Sequence, residues 1–284
     1  MRIKNSELAK TITLEMGKVI AQAEGEIDLS ADILDYYANH GEEFLADKVL
    51  NPEYGTAMAR NSPIGVLLGV MPWNFPFYQV ARFAAPNIMA GNTILLKQAS
   101  VVPQCAAAIE ELFEESNAPE GIYTNLFISG KRASALVSDK RIKGVSLTGS
   151  EEAGASVVVE AGKHLKMVVL ELDGNDVFII KEDADMDKTV EWAVVGRMNN
   201  NCQCCVASKR FIAVEAIAGE FIQKFKDKLS KMKVGDPMDP ETELGPMSSE
   251  ETAVHLADQV KRSVDVGAKV LLGGKRANRE GAFM

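Results

Sequence analysis

Three of the four cysteines, Cys202, Cys204 and Cys205, crowd into the segment Asn199-Asn-Asn-Cys-Gln-Cys-Cys-Val-Ala-Ser208. Thiols set among small polar residues, after a helix and before a strand, could carry a nucleophilic cysteine, because nearby amide donors favour the thiolate. Buried structural thiols or a metal site would use the same residue types. Ligation has the weaker support, since C-x-C-C offers no second ligand pair and His40, His164 and His255 lie in unrelated segments; no metal ligand is assigned.

Three further motifs carry chemistry. In Met71-Pro-Trp-Asn-Phe-Pro76, Asn74 sits in a rigid turn after an apolar run, where a side-chain amide could stabilise an oxyanion or simply bond its own backbone. Leu147-Thr-Gly-Ser-Glu-Glu-Ala-Gly154 runs from a strand into a helix, whose first amides could take a phosphate, while Ser150 as a cap explains the same residues. Glu151 and Glu152 would repel a phosphate placed too close, and no GxGxxG is present. Glu171, in Val169-Leu-Glu-Leu-Asp-Gly-Asn-Asp176, has apolar neighbours on both sides and is expected to be buried, as a general base or as a structural acceptor.

The elements that must position these residues follow from hydrophobic spacing. Apolar residues from Asn5 to Asp47 recur at helical intervals and predict two antiparallel helices, interrupted around Gly25 to Ser30. Beyond them, short β-branched runs at 65–70, 93–96, 125–128, 144–147, 167–172 and 177–180 alternate with helical stretches at 77–89, 102–116, 131–138 and 151–162. That alternation predicts βαβ units and a Rossmann-like parallel sheet, an α/β fold. A second block follows Gly174: a helix at 185–198, a strand at 210–214, a helix at 216–231, a strand at 270–272, and a surface loop from Gly235 to Pro246.

Of 284 residues, 46% are hydrophobic and 25% charged, and the net charge is −9. This acidic balance argues against nucleic acid or an anionic membrane surface as the main partner, since both require a basic footprint. The most apolar stretch, Pro63 to Pro76, falls short of the ~20 residues of a membrane-spanning helix, and residues 1–25 hold no signal-like apolar core, so a cytoplasmic location is expected.

In order along the chain, Pro-Trp-Asn-Phe-Pro, Thr-Gly-Ser-x-x-x-Gly, Leu-Glu-Leu-x-Gly and x-Gln-x-Cys-Val resemble the aldehyde dehydrogenase superfamily. Within it, Arg60 to Pro76, Gly91 to Ser100 and Gly235 to Pro246 look most like bacterial succinate-semialdehyde dehydrogenases. The resemblance implies a dinucleotide-binding domain over 1–174 and part of a catalytic domain over 175–284. It makes Cys205 the nucleophile, Glu171 the general base and Asn74 the oxyanion amide, working with the Cys205 N–H. Trp73, Lys97, Ser100, Gly149, Ser150 and Leu172 match positions that contact NAD or NADP. Many NAD-preferring relatives have Glu where Ser100 stands, so the cofactor stays open between the two. Arg82 matches a position that binds the substrate carboxylate in some semialdehyde dehydrogenases, an apt use of a guanidinium, although a salt bridge would employ it equally well. The implied reaction is oxidation of an aldehyde, succinate semialdehyde by the closest likeness, through a cysteine thiohemiacetal and thioester.

The resemblance also implies a longer chain. The opening of the dinucleotide domain, the rest of the catalytic domain, a Glu-x-Phe-Gly-Pro motif and an arm that helps build a homo-oligomer have no counterpart, so truncation at both ends is expected, with apolar surface left bare. Asp173 and Cys202 replace family glycines, and both replacements predict backbone strain. Asp173 adds negative charge near Glu171 and the thiol, predicting a less reactive Cys205. Two functions therefore compete: an NAD(P)-dependent aldehyde dehydrogenase, and a catalytically silent fragment that at most binds nucleotide or partner subunits.

Overall fold

The apolar runs between residues 65 and 172 become five parallel strands. In the computed structural model, which describes residues 1–284, the chain runs α1 (Asn5–Met16), α2 (Ile20–Leu45), β1 (Lys48–Leu50), β2 (Ala57–Ala59), β3 (Val66–Met71), α3 (Pro76–Met89), β4 (Thr93–Gln98), α4 (Pro103–Glu115), β5 (Tyr123–Asn125), α5 (Gly130–Leu136), β6 (Ile142–Thr148), α6 (Glu151–Lys163) and β7 (Met167–Glu171). It continues through β8 (Asp176–Ile180), α7 (Met186–Met198), β9 (Ser208–Ala213), α8 (Glu215–Leu229) and α9 (Glu250–Asp265). Contacts divide it into two units, Met1–Leu8 with Glu24–Leu172, and Ala9–Ala23 with Asp173–Met284.

In the first unit the strand order is β5-β4-β3-β6-β7, with every pair parallel. The chain steps outward from β3 to β5 and then returns to lay β6 against the other side of β3. That reversal makes the gap between β3 and β6 a topological switch point, and the crevice at the strands' C-terminal ends is where such sheets bind ligands. Trp73 and Asn74 follow β3, Ser100 follows β4, Gly149 and Ser150 follow β6, and Glu171 ends β7. Val145 and Leu147 form a core with Val157 and Ala161 of α6, and Val168, Leu170 and Leu172 pack against it. The alternate residues Gly144, Ser146 and Thr148, with Met167, Val169 and Glu171, line the opposite face. No helix of the unit covers β7 on that side, and Met167 and Val169 are 69% and 57% exposed.

The second unit pairs β8 with β9 in parallel and packs α7 and α8 around Ile180, Val190, Ala193 and Phe221, with Phe178, Phe211 and Phe225 adding stacked and tilted rings.

Several elements differ from expectation. The first helical break falls at Gly17 to Val19, not at Gly25 to Ser30, because Gly17 adopts φ +79° and ends α1. Ser30 stays inside α2 by bonding its hydroxyl back to the Glu26 carbonyl at 2.7 Å. The run at 270–272 finds no partner and forms no strand. The helix α9 and the short β1–β2 hairpin add to the expected elements; α9 buries Ala253, and Leu256, Val260 and Val264 recur beside it at helical spacing. No helix is long and apolar enough to cross a membrane.

Candidate functional site

The turn after β3 is held from below by a carboxylate. Pro76 opens α3, and the next two backbone amides, of Phe77 and Tyr78, donate to one oxygen of buried Glu26 at 2.9 and 3.2 Å. An acceptor at this terminus satisfies two of the orphan N–H donors that open the helix. Gln98 fixes the same turn by donating to the Pro76 carbonyl at 2.8 Å. Half-buried Asn74 therefore stands on an anchored corner.

Further along α3, Arg82 projects into a cavity of about 340 Å³ between α3 and the open face of β6 and β7. Its Nη2 donates to Thr148 Oγ1 at 3.3 Å and lies 3.9 Å from Glu171 Oε2, while the guanidinium carbon sits 5.7 Å from the Tyr78 ring centre. Thr148 and Glu171 are register partners across β6 and β7. The expected burial of Glu171 is corrected here: its side chain is 56% exposed. Its apolar sequence neighbours Leu170 and Leu172 point to the other face, toward α6, as alternation in a strand requires.

A second cavity, about 470 Å³, opens at the ends of β4 and β5 and brings together Lys97, Ser100, Asn125 and Ser129. Burial draws the Lys97 ammonium below its ordinary value. Asn125 is buried with neither side-chain polar atom hydrogen-bonded, an arrangement that suits a polar ligand, since buried amides otherwise find partners. No acidic residue lines this cavity. Trp73, Gly149, Ser150 and Leu172 are not among its walls. The Ser150 hydroxyl is used as the α6 cap, accepting from Ala153 N at 3.3 Å. Leu172 packs on Gly154, where an added Cβ would meet its Cδ2 at 2.7 Å and push the leucine tip aside.

In the second unit, Cys205 ends a loop of unusual backbone. Asn200, Asn201 and Cys202 take φ of 53°, 53° and 67°, three consecutive left-handed residues without a glycine. Buried Asn201 holds them, donating to the carbonyls of Gly17 and Pro246 at 2.8 and 3.0 Å and accepting from Gly245 N at 2.8 Å. Gln203 accepts from Ser248 N at 2.9 Å. The Gly235 to Pro246 stretch, expected as a surface loop, is thus partly internal, with Thr242 buried. Lys209 donates to the Cys205 carbonyl at 2.6 Å. Burial pushes the Cys202 and Cys204 thiols up from their ordinary value, and Cys205 is half-buried. No group of three or more His, Cys, Asp or Glu could hold a metal. The backbone strain expected at Cys202 and Asp173 divides: Cys202 is left-handed, but Asp173 is not.

Sequence reasoning took Arg82 from resemblance alone and missed Glu26, Thr148, Asn125 and Asn201. The partners of Glu26, Thr148 and Asn201 lie far away in sequence, and Asn125 stands out by burial without a partner, so no local pattern marks any of the four.

The aldehyde dehydrogenase family model matches residues 1–284. The chain is 47% identical over 281 residues to a succinate-semialdehyde dehydrogenase [NADP(+)] of Deinococcus radiodurans, covering 99% of this chain and 59% of that protein. It is 45% identical over 280 residues to a probable succinate-semialdehyde dehydrogenase [NADP(+)] of Synechocystis, covering 99% and 62%. Among solved structures, succinic semialdehyde dehydrogenase from Streptococcus pyogenes in complex with NADP+ superposes with a TM-score of 0.98 at 44% identity, over 100% of this chain and 62% of the other. The chain spans about three-fifths of the length of these relatives. It belongs to the aldehyde dehydrogenase family.

Proposed function

We propose that the protein oxidises a short aldehyde bearing a distal carboxylate, succinate semialdehyde by its relatives' names, to the dicarboxylate with NADP. The observation that carries this reading is Arg82, the one cation lining the cavity that also holds Glu171. A guanidinium there can grip the substrate carboxylate with paired N–H donors and orient the aldehyde. Lys97, Ser100 and Asn125 would hold the dinucleotide, and a cavity with a cation and no acidic wall favours a 2′-phosphate. The bound dinucleotide supplies the acceptor for the hydride lost in the oxidation.

Cys205 supplies the thiolate that bonds the aldehyde carbon, and the Asn74 amide and the Cys205 N–H stabilise the oxyanion. After oxidation the carbon is held as a thioester on Cys205. Glu171 takes a proton from water as the water oxygen bonds that carbon, and the Cys205 thiolate leaves as the carboxylate is released. In this reading the first unit binds the dinucleotide and the second bears the thiol.

The competing reading, a silent chain, draws on left-handed Cys202 in the thiol loop. NADPH formation from succinate semialdehyde, with Cys205→Ala as control, separates the two. Turnover lost in the variant supports oxidation through Cys205. Absence of turnover from folded wild-type protein favours the silent chain.

A further inference from the structure

The base and the substrate's anchor compete for one cation. Among the residues lining the 340 Å³ cavity, Arg82 is the sole positive side chain and Glu171 the sole negative one. Their 3.9 Å separation exceeds the ~2.8 Å of a charge-assisted hydrogen bond, so they form a loose ion pair with no shared proton. Arg82 makes one side-chain hydrogen bond, to Thr148, leaving most of its five donors for another acceptor. Glu171 has Arg82 as its side-chain partner and stands on an exposed strand end, where it can swing once released.

We infer that Arg82 restrains Glu171 until a carboxylate-bearing substrate takes the guanidinium, so that the substrate's own distal carboxylate frees the base. A carboxylate offering two oxygens to the fork of Arg82 displaces a single-oxygen contact at 3.9 Å. A neutral aldehyde of the same length leaves Glu171 tethered. Specificity for carboxylate substrates then arises twice, in binding and in thioester hydrolysis. This inference rests on the roles given above to Arg82 and Glu171.

The test is calorimetric titration of the 284-residue chain with succinate, and with neutral succinamide as control, for the wild type, Glu171→Gln, Arg82→Lys and Arg82→Met, each checked for folding by circular dichroism. Exposed ion pairs are weak, so removing the competitor is expected to tighten succinate binding by about two- to fivefold while succinamide is unchanged. Arg82→Met is expected to abolish succinate binding, and Arg82→Lys to restore part of it. Nitrogen NMR of the arginine side chains supplies a second readout: the Arg82 resonance should shift in Glu171→Gln without ligand, and in the wild type on adding succinate. If Arg82→Met abolishes binding but Glu171→Gln neither tightens it nor shifts the resonance, the restraint is wrong and carboxylate recognition stands. If succinate binds Arg82→Met as it binds wild type, or fails to bind wild type, carboxylate recognition fails and the restraint with it.

Discussion

The side chain of Asn201 clasps the backbone of Gly245: its Oδ1 accepts from the Gly245 N–H at 2.8 Å while its Nδ2 donates to Gly17 and Pro246. A Cβ on Gly245 would meet the Gly17 carbonyl at 2.6 Å, so the three segments can converge only without a side chain there. The loop that ends in Cys205 is shaped by this junction.

Asn201→Ala should therefore destabilise the protein by about 2–4 kcal/mol, because it leaves one buried donor and two carbonyls without partners and puts alanine at φ 53°. Urea unfolding measures this directly. A loss under about 0.5 kcal/mol, the range of an ordinary surface substitution, would show that the junction does not hold the loop.

Cys202 should respond in the opposite sense. A left-handed backbone costs an L-residue roughly 1–2 kcal/mol, and glycine removes that cost at the expense of a small, half-buried side chain. Cys202→Gly is expected to raise the unfolding temperature, and scanning calorimetry that found it lowered would mean that the contact of the Cys202 sulfur with Met198, at 3.5 Å, outweighs the strain.

The thiols should separate by accessibility and pH. Burial favours the protonated forms of Cys202 and Cys204, so their folded pKa lies above the unfolded value. The stability they contribute is complete below the ordinary thiol value and is lost as pH rises through the folded one. Iodoacetamide reacts with thiolates, so near pH 8 it should modify Cys205 ahead of both, and Cys204→Ala should lessen the loss of stability at alkaline pH. Peptide mapping that found equal labelling of the three would contradict the assignment.

Glu26 is expected to matter for the corner that carries Asn74. Glu26→Leu strands two amides at the start of α3 and should cost about 2–3 kcal/mol, while Glu26→Gln, which keeps an acceptor, should cost about half of that. Equal losses from both variants in thermal unfolding would show that the hydrogen bonds to Phe77 and Tyr78 are not what anchors the turn.

What could be read in the sequence was local. Alternation of β-branched runs with helical stretches revealed the parallel strands β3, β4, β6 and β7; an inner strand covered on both faces is apolar throughout, and β7 kept the same apolar character although one of its faces is bare. The motifs at the ends of β3, β6 and β7 fall at the C-terminal ends of the strands. Burial of Glu171 was misjudged because its flanking leucines were counted as surroundings, whereas in a strand they face the other way. Asn201 gave no signal, since its partners lie 184 and 44 residues away in sequence. The break at Gly17 was hidden by Gly25 and Ser30, which look like breakers until the bond from Ser30 to Glu26 is seen.

The most direct test of the proposed chemistry is the mass of the thiol peptide. Glu171→Gln incubated with succinate semialdehyde and NADP should form the thioester and hydrolyse it slowly, so the succinyl mass should accumulate on the peptide holding Cys205 and be absent after Cys205→Ala. Folded Glu171→Gln protein carrying no such mass, or carrying it on Cys202 or Cys204 instead, would contradict the roles assigned to Cys205 and Glu171.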